Sequence, residues 1–92
     1  MAGNARRLRV RPEFEQRLAR FNPDEQEQIL NLVEQIAAEP ISAEDVDFAY
    51  SGEVIHIRSV GDGIFVQFRI LADESISVLT CGRWPTSYAP RM

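Results

Sequence analysis

Residues 56–70, "HIRSVGDGIFVQFRI", decide how this chain folds. They set Gly61-Asp62-Gly63 between two runs in which apolar and polar side chains alternate. A period of two marks strands with one buried face, and small turn residues between two such runs mark a hairpin. In the first run, Ile55 and Ile57 point one way and His56 and Arg58 the other. In the second, Ile64, Val66, Phe68 and Ile70 alternate with Phe65, Gln67 and Arg69. Placing both apolar sets on one face requires odd residues of the first strand opposite even residues of the second. A two-residue loop, Asp62-Gly63 or Gly61-Asp62, meets that condition. A three-residue loop does not, because a slip of one residue turns every side chain over. This register predicts that His56, Arg58, Gln67 and Arg69 emerge together on the opposite face, with Arg69 directly across from His56 in one of the two frames.

The alternation continues past a second turn, "ADES", into Ile76 and Val78. Here even residues must face even residues. A three-residue loop puts Ile70 opposite Ile76 and Phe68 opposite Val78. The product is a three-stranded antiparallel meander. Its open face is expected to carry His56, Arg58, Phe65, Gln67, Arg69, Leu79 and Cys81, and to extend to Arg83. Phe65, Leu79 and Cys81 need cover there, from Trp84 and Tyr88 of the tail, from a subunit or from a partner.

Upstream, "RRLRVRP" alternates Leu8 and Val10 with Arg7, Arg9 and Arg11 and reads as a short strand. Pro12 suits the first position of a helix, and Phe14, Leu18 and Phe21 follow at helical spacing. Asn22-Pro23 starts a second helix, with Asn22 as cap, Asp24 and Glu25 at the positive end of the dipole, and Ile29, Leu32, Val33 and Ile36 as the buried stripe. Pro40 ends it. Glu25, Glu27 and Glu34 fall on its solvated side. Residues 41–52, with Phe48 and Tyr50 alternating, read as a strand start or an ordered loop. The fold class is α+β: an N-terminal strand, a helical hairpin and the meander, two helices on one face of a four-stranded, mostly antiparallel sheet. Residues 1–92 form a single domain.

The chain carries ten Arg, no Lys, and a net charge of −4. Residues 1–11 hold four Arg and no acid; residues 12–53 hold eleven acids against Arg17 and Arg20; residues 54–92 hold four Arg against three acids. A basic patch is compatible with this distribution, but a dominant phosphate-binding field is not. A single Cys excludes an internal disulfide and suits a reducing cytoplasm, and neither a signal peptide nor a membrane-spanning run is readable. A cytosolic protein of bacterial type is expected. No metal-ligand spacing, phosphate-binding Gly loop or Ser-His-Asp set occurs, so no cofactor is expected.

"GEVIHIRSVGDGIFVQFRI" followed by "ISVLTCGRW", within this order of elements, resembles the RelE/ParE toxin superfamily of type II toxin–antitoxin systems. The likeness lies in the small-residue turn, the central strand ending in aromatic-Arg-Ile, and the last strand ending in glycine. The resemblance implies a cognate antitoxin as partner. It also implies one of two actions: ribosome-dependent mRNA cleavage, as in RelE-like endoribonucleases that need no metal, or growth inhibition through DNA gyrase, as in ParE-like members. Endonuclease members place an Arg at the start of the central strand. This chain has Gly63 or Phe65 there, which implies a catalytically degenerate member or one acting by contact.

RNA cleavage by 2′-hydroxyl attack needs a base, a clamp on phosphate and an acid for the leaving oxygen. His56 is the side chain whose ordinary pKa suits a base. Arg69 and Arg83, with Arg58, are the candidate phosphate clamp, and Tyr88 stands for the family's terminal Tyr. Trp84 offers a stacking surface for a base, and Gln67 lies on the same expected face. Each has a plainer reading: His56 as a sheet-face residue, Trp84 and Tyr88 as cover for Phe65 and Leu79, Cys81 as a small buried side chain, and Arg6, Arg7, Arg9 and Arg11 as a charged edge that discourages unwanted pairing. The alternative to the enzyme is a non-catalytic protein-interaction module of the same fold.

Overall fold

Two prolines set the helices. The structure, a computed structural model, describes residues 5–61 and 63–84. After strand β1 (Leu8–Val10), Pro12 opens helix α1 (Pro12–Leu18), which buries Phe14. Pro23 opens helix α2 (Pro23–Ala38), whose buried residues Ile29, Leu32, Val33, Ile36 and Ala37 recur at the spacing of one helical face. Asn22 caps α2 as expected: its Oδ1 accepts from the Glu25 N–H at 2.8 Å. Glu25 Oε1 accepts in return from the Asn22 N–H at 3.2 Å, completing a capping box. The chain then runs through β2 (Val46–Tyr50), β3 (Glu53–Val60), β4 (Ile64–Ile70) and β5 (Ile76–Arg83).

The sheet has five strands in the order β1-β5-β4-β3-β2, with β1 parallel to β5 and every other pair antiparallel. The ambiguous segment 41–52 contributes β2, so the meander gains an edge strand and the sheet is five-stranded rather than four-stranded. Both helices cover one face. Phe14, Ile29, Leu32, Val33 and Ile36 pack there against Ile64, Val66, Phe68, Ile76, Val78 and Cys81. Each large apolar side chain removed from water in this way contributes about 1.5–3 kcal/mol. Among the described residues no helix is long and apolar enough to cross a membrane.

The β4–β5 turn has the register expected of it. Ile70 lies opposite Ile76 and Phe68 opposite Val78. Leu71 and Ser75 close the three-residue loop with a Leu71 N–H to Ser75 C=O bond of 2.8 Å, and Glu74 takes φ 70°.

The β3–β4 turn does not. Val60 pairs with Ile64, so the loop is the three residues 61–63, and the partners are His56 with Phe68, Ile57 with Gln67, and Arg58 with Val66. Even residues of β3 face even residues of β4. His56 and Arg58 therefore lie on the helix side, and Ile55 and Ile57 on the open side. Two causes act together. Gly61 and Gly63 both adopt positive φ, 60° and 91°, which a loop with glycine at each end can accommodate. Each β3 face also finds suitable cover. Ile55 and Ile57 lie beside Phe48 and Val46 of β2 and are 7% and 6% exposed, while His56 and Arg58 meet carboxylates beyond the reach of the helices. A one-residue slip thus exchanges two nearly balanced amphipathic patterns.

A bulge in β5 makes a second change of parity. Phe68 pairs with Val78 and Gln67 with Thr80, leaving Leu79 unpaired. Cys81, expected on the open face, consequently turns into the core and is fully buried. Gly82 passes beneath the Phe65 ring, where an added Cβ would stand 2.9 Å from Phe65 Cζ.

Candidate functional site

The residues proposed from the sequence as one reaction surface are divided between the two faces of the sheet. His56, Arg58 and Arg83 lie on the helix side, opposite Phe68, Val66 and Ile64. Gln67 lies on the open side opposite Ile57, and Arg69 emerges on that same face. Trp84 joins the open side: its ring lies 4.8 Å from that of Phe65 and its Nε1–H donates to Ser59 Oγ at 3.3 Å. Trp84 thus provides the cover expected for Phe65. Tyr88 lies outside the described residues. The expectation that His56 and Arg69 face one substrate together is corrected by the register of β3 and β4, which puts the sheet between them.

His56 sits between an aromatic ring and a carboxylate. Its imidazole stacks on Phe68 at 5.1 Å and 26°, and its Nδ1 lies 2.7 Å from Oδ1 of Asp47, the residue opposite it on β2. A carboxylate only accepts, so the hydrogen of this bond sits on Nδ1, and Asp47 leaves Nε2 unengaged. The side chain is 15% exposed.

Arg58 is more fully engaged. Its Nε and Nη2 donate to Asp45 Oδ1 and Oδ2 at 2.8 and 2.9 Å, and Nη2 also donates to the Glu39 carbonyl at 2.8 Å. Its guanidinium carbon stands 5.7 Å above the Phe68 ring. The Arg58 side chain is 11% exposed and that of Asp45 only 2%. This fork joins β3 to the segment that leaves the C-terminal end of α2, and it leaves little of Arg58 available to a phosphate.

The other arginines are paired more loosely. Arg69 Nε lies 3.0 Å from Glu53 Oε1, with the side chains 27% and 49% exposed. Arg83 pairs with Glu25 and lies over the Phe21 ring. Glu25, expected on the solvated side of its helix, is instead half-buried because it closes the helix cap and holds Arg83. Cys81 has its thiol pushed up to about 11 by burial. Asp73 is held below the usual carboxylate range by the Ser75 hydroxyl and N–H, which donate to it at 2.5 and 3.0 Å.

Sequence reasoning missed the acids. Asp45, Glu53 and Glu25 each pair with one of the arginines assigned to substrate, and Asp47 holds His56. The signal was present in "ISAEDVDFAYSGE", where Asp45 and Asp47 share one parity while their basic partners Arg58 and His56 share the other. It becomes readable only once that segment is known to pair with β3.

A five-stranded mixed sheet with a helical hairpin on one face can be compared with known proteins by sequence and by fold. Sequence comparison matches no family model and no curated protein. Comparison of folds does find relatives. A chain of the archaeal RelE–RelB complex from Pyrococcus horikoshii OT3 superposes with a TM-score of 0.72 at 15% identity, covering 87% of this chain and 96% of that one. A chain of the RelBE2 toxin–antitoxin complex from Mycobacterium tuberculosis gives 0.73 at 11% identity, covering 88% and 100%. A chain of the intact RelBE toxin–antitoxin complex of E. coli gives 0.70 at 12% identity, covering 88% and 99%. The chain has the RelE/ParE-type fold.

Proposed function

We propose that this chain is the toxin component of a type II toxin–antitoxin pair and is held in check by a cognate antitoxin protein. The observation that carries this reading is the match of the fold, over nearly the whole chain, to three structures that are each a toxin–antitoxin complex. Within it we favour action by contact with a partner, such as DNA gyrase, over RNA cleavage. The basic groups that would bind a scissile phosphate are committed to Asp45, Glu53 and Glu25 and lie on two faces.

One observation favours the second reading, a metal-independent endoribonuclease acting on ribosome-bound mRNA. The Asp47–His56 pair holds an imidazole through Nδ1 and, among the described residues, leaves Nε2 unengaged, the geometry that a general base requires. In that reading His56 is the base, Arg69, Arg83 and Tyr88 complete the reaction set, and Arg58, Gln67 and Trp84 bind.

Induced expression in bacteria, with and without the neighbouring gene, tests both readings. Growth arrest relieved by the neighbour is the expected result, and unimpaired growth at confirmed expression refutes the toxin reading. In arrested cells, intact mRNA and an arrest that persists in His56→Ala support action by contact. mRNA cleavage lost in His56→Ala, with folding retained, replaces that reading with the endonuclease.

A further inference from the structure

The two edges of the sheet are protected unequally. The β1 edge is three residues long and set among Arg7, Arg9 and Arg11, a short, charged form that discourages further pairing. The β2 edge is the five residues "VDFAY", all of them exposed. It pairs with β3 in an unbroken register, without bulge, proline or lysine. Its one charged side chain, Asp47, is turned to His56 of its own chain. Val46, Phe48 and Tyr50 share the open side and are 57%, 40% and 68% exposed. Among the described residues no strand lies beyond β2. Ser51 and Gly52, with φ 52° and 78°, turn the chain directly into β3, so the loop adds only two small residues at the end of this edge.

Such an edge offers unpaired backbone N–H and C=O groups to a further strand. Its sequence is complementary to itself. Set antiparallel to a second copy with Phe48 on the two-fold axis, Val46 falls opposite Tyr50 of the other copy and Asp47 opposite Ala49. All five residues are then paired, the apolar side chains of both copies lie together on the open side, and no like charges meet. The neighbouring registers are worse. An axis on Asp47 sets two carboxylates opposite each other, and an axis on Ala49 brings Val46 against Gly52. A slip of one residue sets the apolar side of one copy beside the polar side of the other.

We propose that β2 is the seam of a two-fold symmetric homodimer, in which the β2 strands of two copies of this chain pair antiparallel about Phe48 and join the two sheets into one. Five edge residues are few beside the roughly 20–30 a side of a standard interface, so the dimer is reversible and half-formed on the order of 100 μM. The proposal does not depend on the toxin reading, since its test reads mass and not growth.

The test is sedimentation equilibrium of the full chain from ~10 μM to ~1 mM, where a rise from monomer to dimer mass is expected. Two substitutions at the exposed Ala49 read the register and should keep the wild-type thermal midpoint. Ala49→Asp sets a carboxylate opposite Asp47 of the other copy, twice by symmetry, and should weaken the dimer about tenfold. Ala49→Lys makes two opposite-charge pairs instead and should tighten it, less so as salt is raised. Cross-linking gives a second measurement, in a Cys81→Ala background that removes the chain's one thiol. Phe48→Cys puts two thiols at directly paired positions, about 4.5–5.5 Å apart between Cα atoms, and should oxidise to a covalent dimer. Tyr50→Cys leaves its two thiols about 14 Å apart along the paired strands and should not. A mass that stays monomeric up to ~1 mM overturns the proposal and leaves the edge to a different chain. Equal affinities in Ala49→Asp and Ala49→Lys, or cross-linking of Tyr50→Cys as fast as of Phe48→Cys, overturn it as well.

Discussion

Replacing Arg58 by Ala tests the register on which the site depends. In the observed register Arg58 lies on the helix side, its fork closed on a carboxylate that is 2% exposed. Removing the guanidinium leaves Asp45 without its partner and frees the Glu39 carbonyl of one donor. Breaking a buried pair from one side costs about 3–5 kcal/mol. For a domain of this size each kcal/mol lowers the midpoint by about 4–8 °C, so Arg58→Ala should melt at least ~12 °C below wild type. That is a large share of the roughly 5–15 kcal/mol that holds a domain together. Urea denaturation followed by circular dichroism, with the slope m unchanged, measures the loss directly. Arg69→Ala is the comparison. Its pair with Glu53 is partly exposed on both sides and should be worth about 1 kcal/mol or less. The sequence-based register puts Arg58 and Arg69 on one solvated face and gives both variants similar small losses. A cost below about 1 kcal/mol for Arg58→Ala would therefore refute the observed register. Replacing the pair together, Asp45→Leu with Arg58→Met, should recover most of the stability, because no buried charge is then left alone.

Three further outcomes follow from the packing. Gly82→Ala sets a Cβ 2.9 Å from the Phe65 ring and should cost about 1–3 kcal/mol in urea denaturation, with Phe65→Leu in the same chain restoring part of it. Cys81 should resist thiol reagents near neutral pH in the native protein and react on unfolding. Burial pushes its folded thiol up to about 11 from the ordinary thiol value of 9.0, so it holds its proton where the unfolded chain gives it up. Stability should fall as pH rises from about 9 toward 11, and Cys81→Ala, whatever its own cost, should lose that segment of the pH dependence. Asn22→Ala removes the cap of α2 and should lower stability by about 1 kcal/mol, whereas Asn22→Asp should be tolerated.

Local chemistry made most of the elements legible. Pro12 and Asn22-Pro23 start helices because their φ and their capping atoms suit those positions, and no distant contact is needed to see it. The stripe Ile29, Leu32, Val33, Ile36 and the alternation of β4 specify one buried face each, and the turn after Ile70 fixed its own register. What the sequence left undetermined was the pairing of β3. Its two faces, Ile55 with Ile57 and Val54 with Val60 around His56 and Arg58, are nearly equal in apolar content. The choice between them fell to partners distant in the chain: Asp45 and Asp47 to receive the basic face, and Val46 and Phe48 to flank the isoleucines. The bulge at Leu79 is of the same kind, since an extra residue in one strand is defined only against its neighbour. Periodicity reports which side chains share a face of one element; which face goes inward is an energy difference between whole packings, and here that difference decided where His56 and Arg58 point.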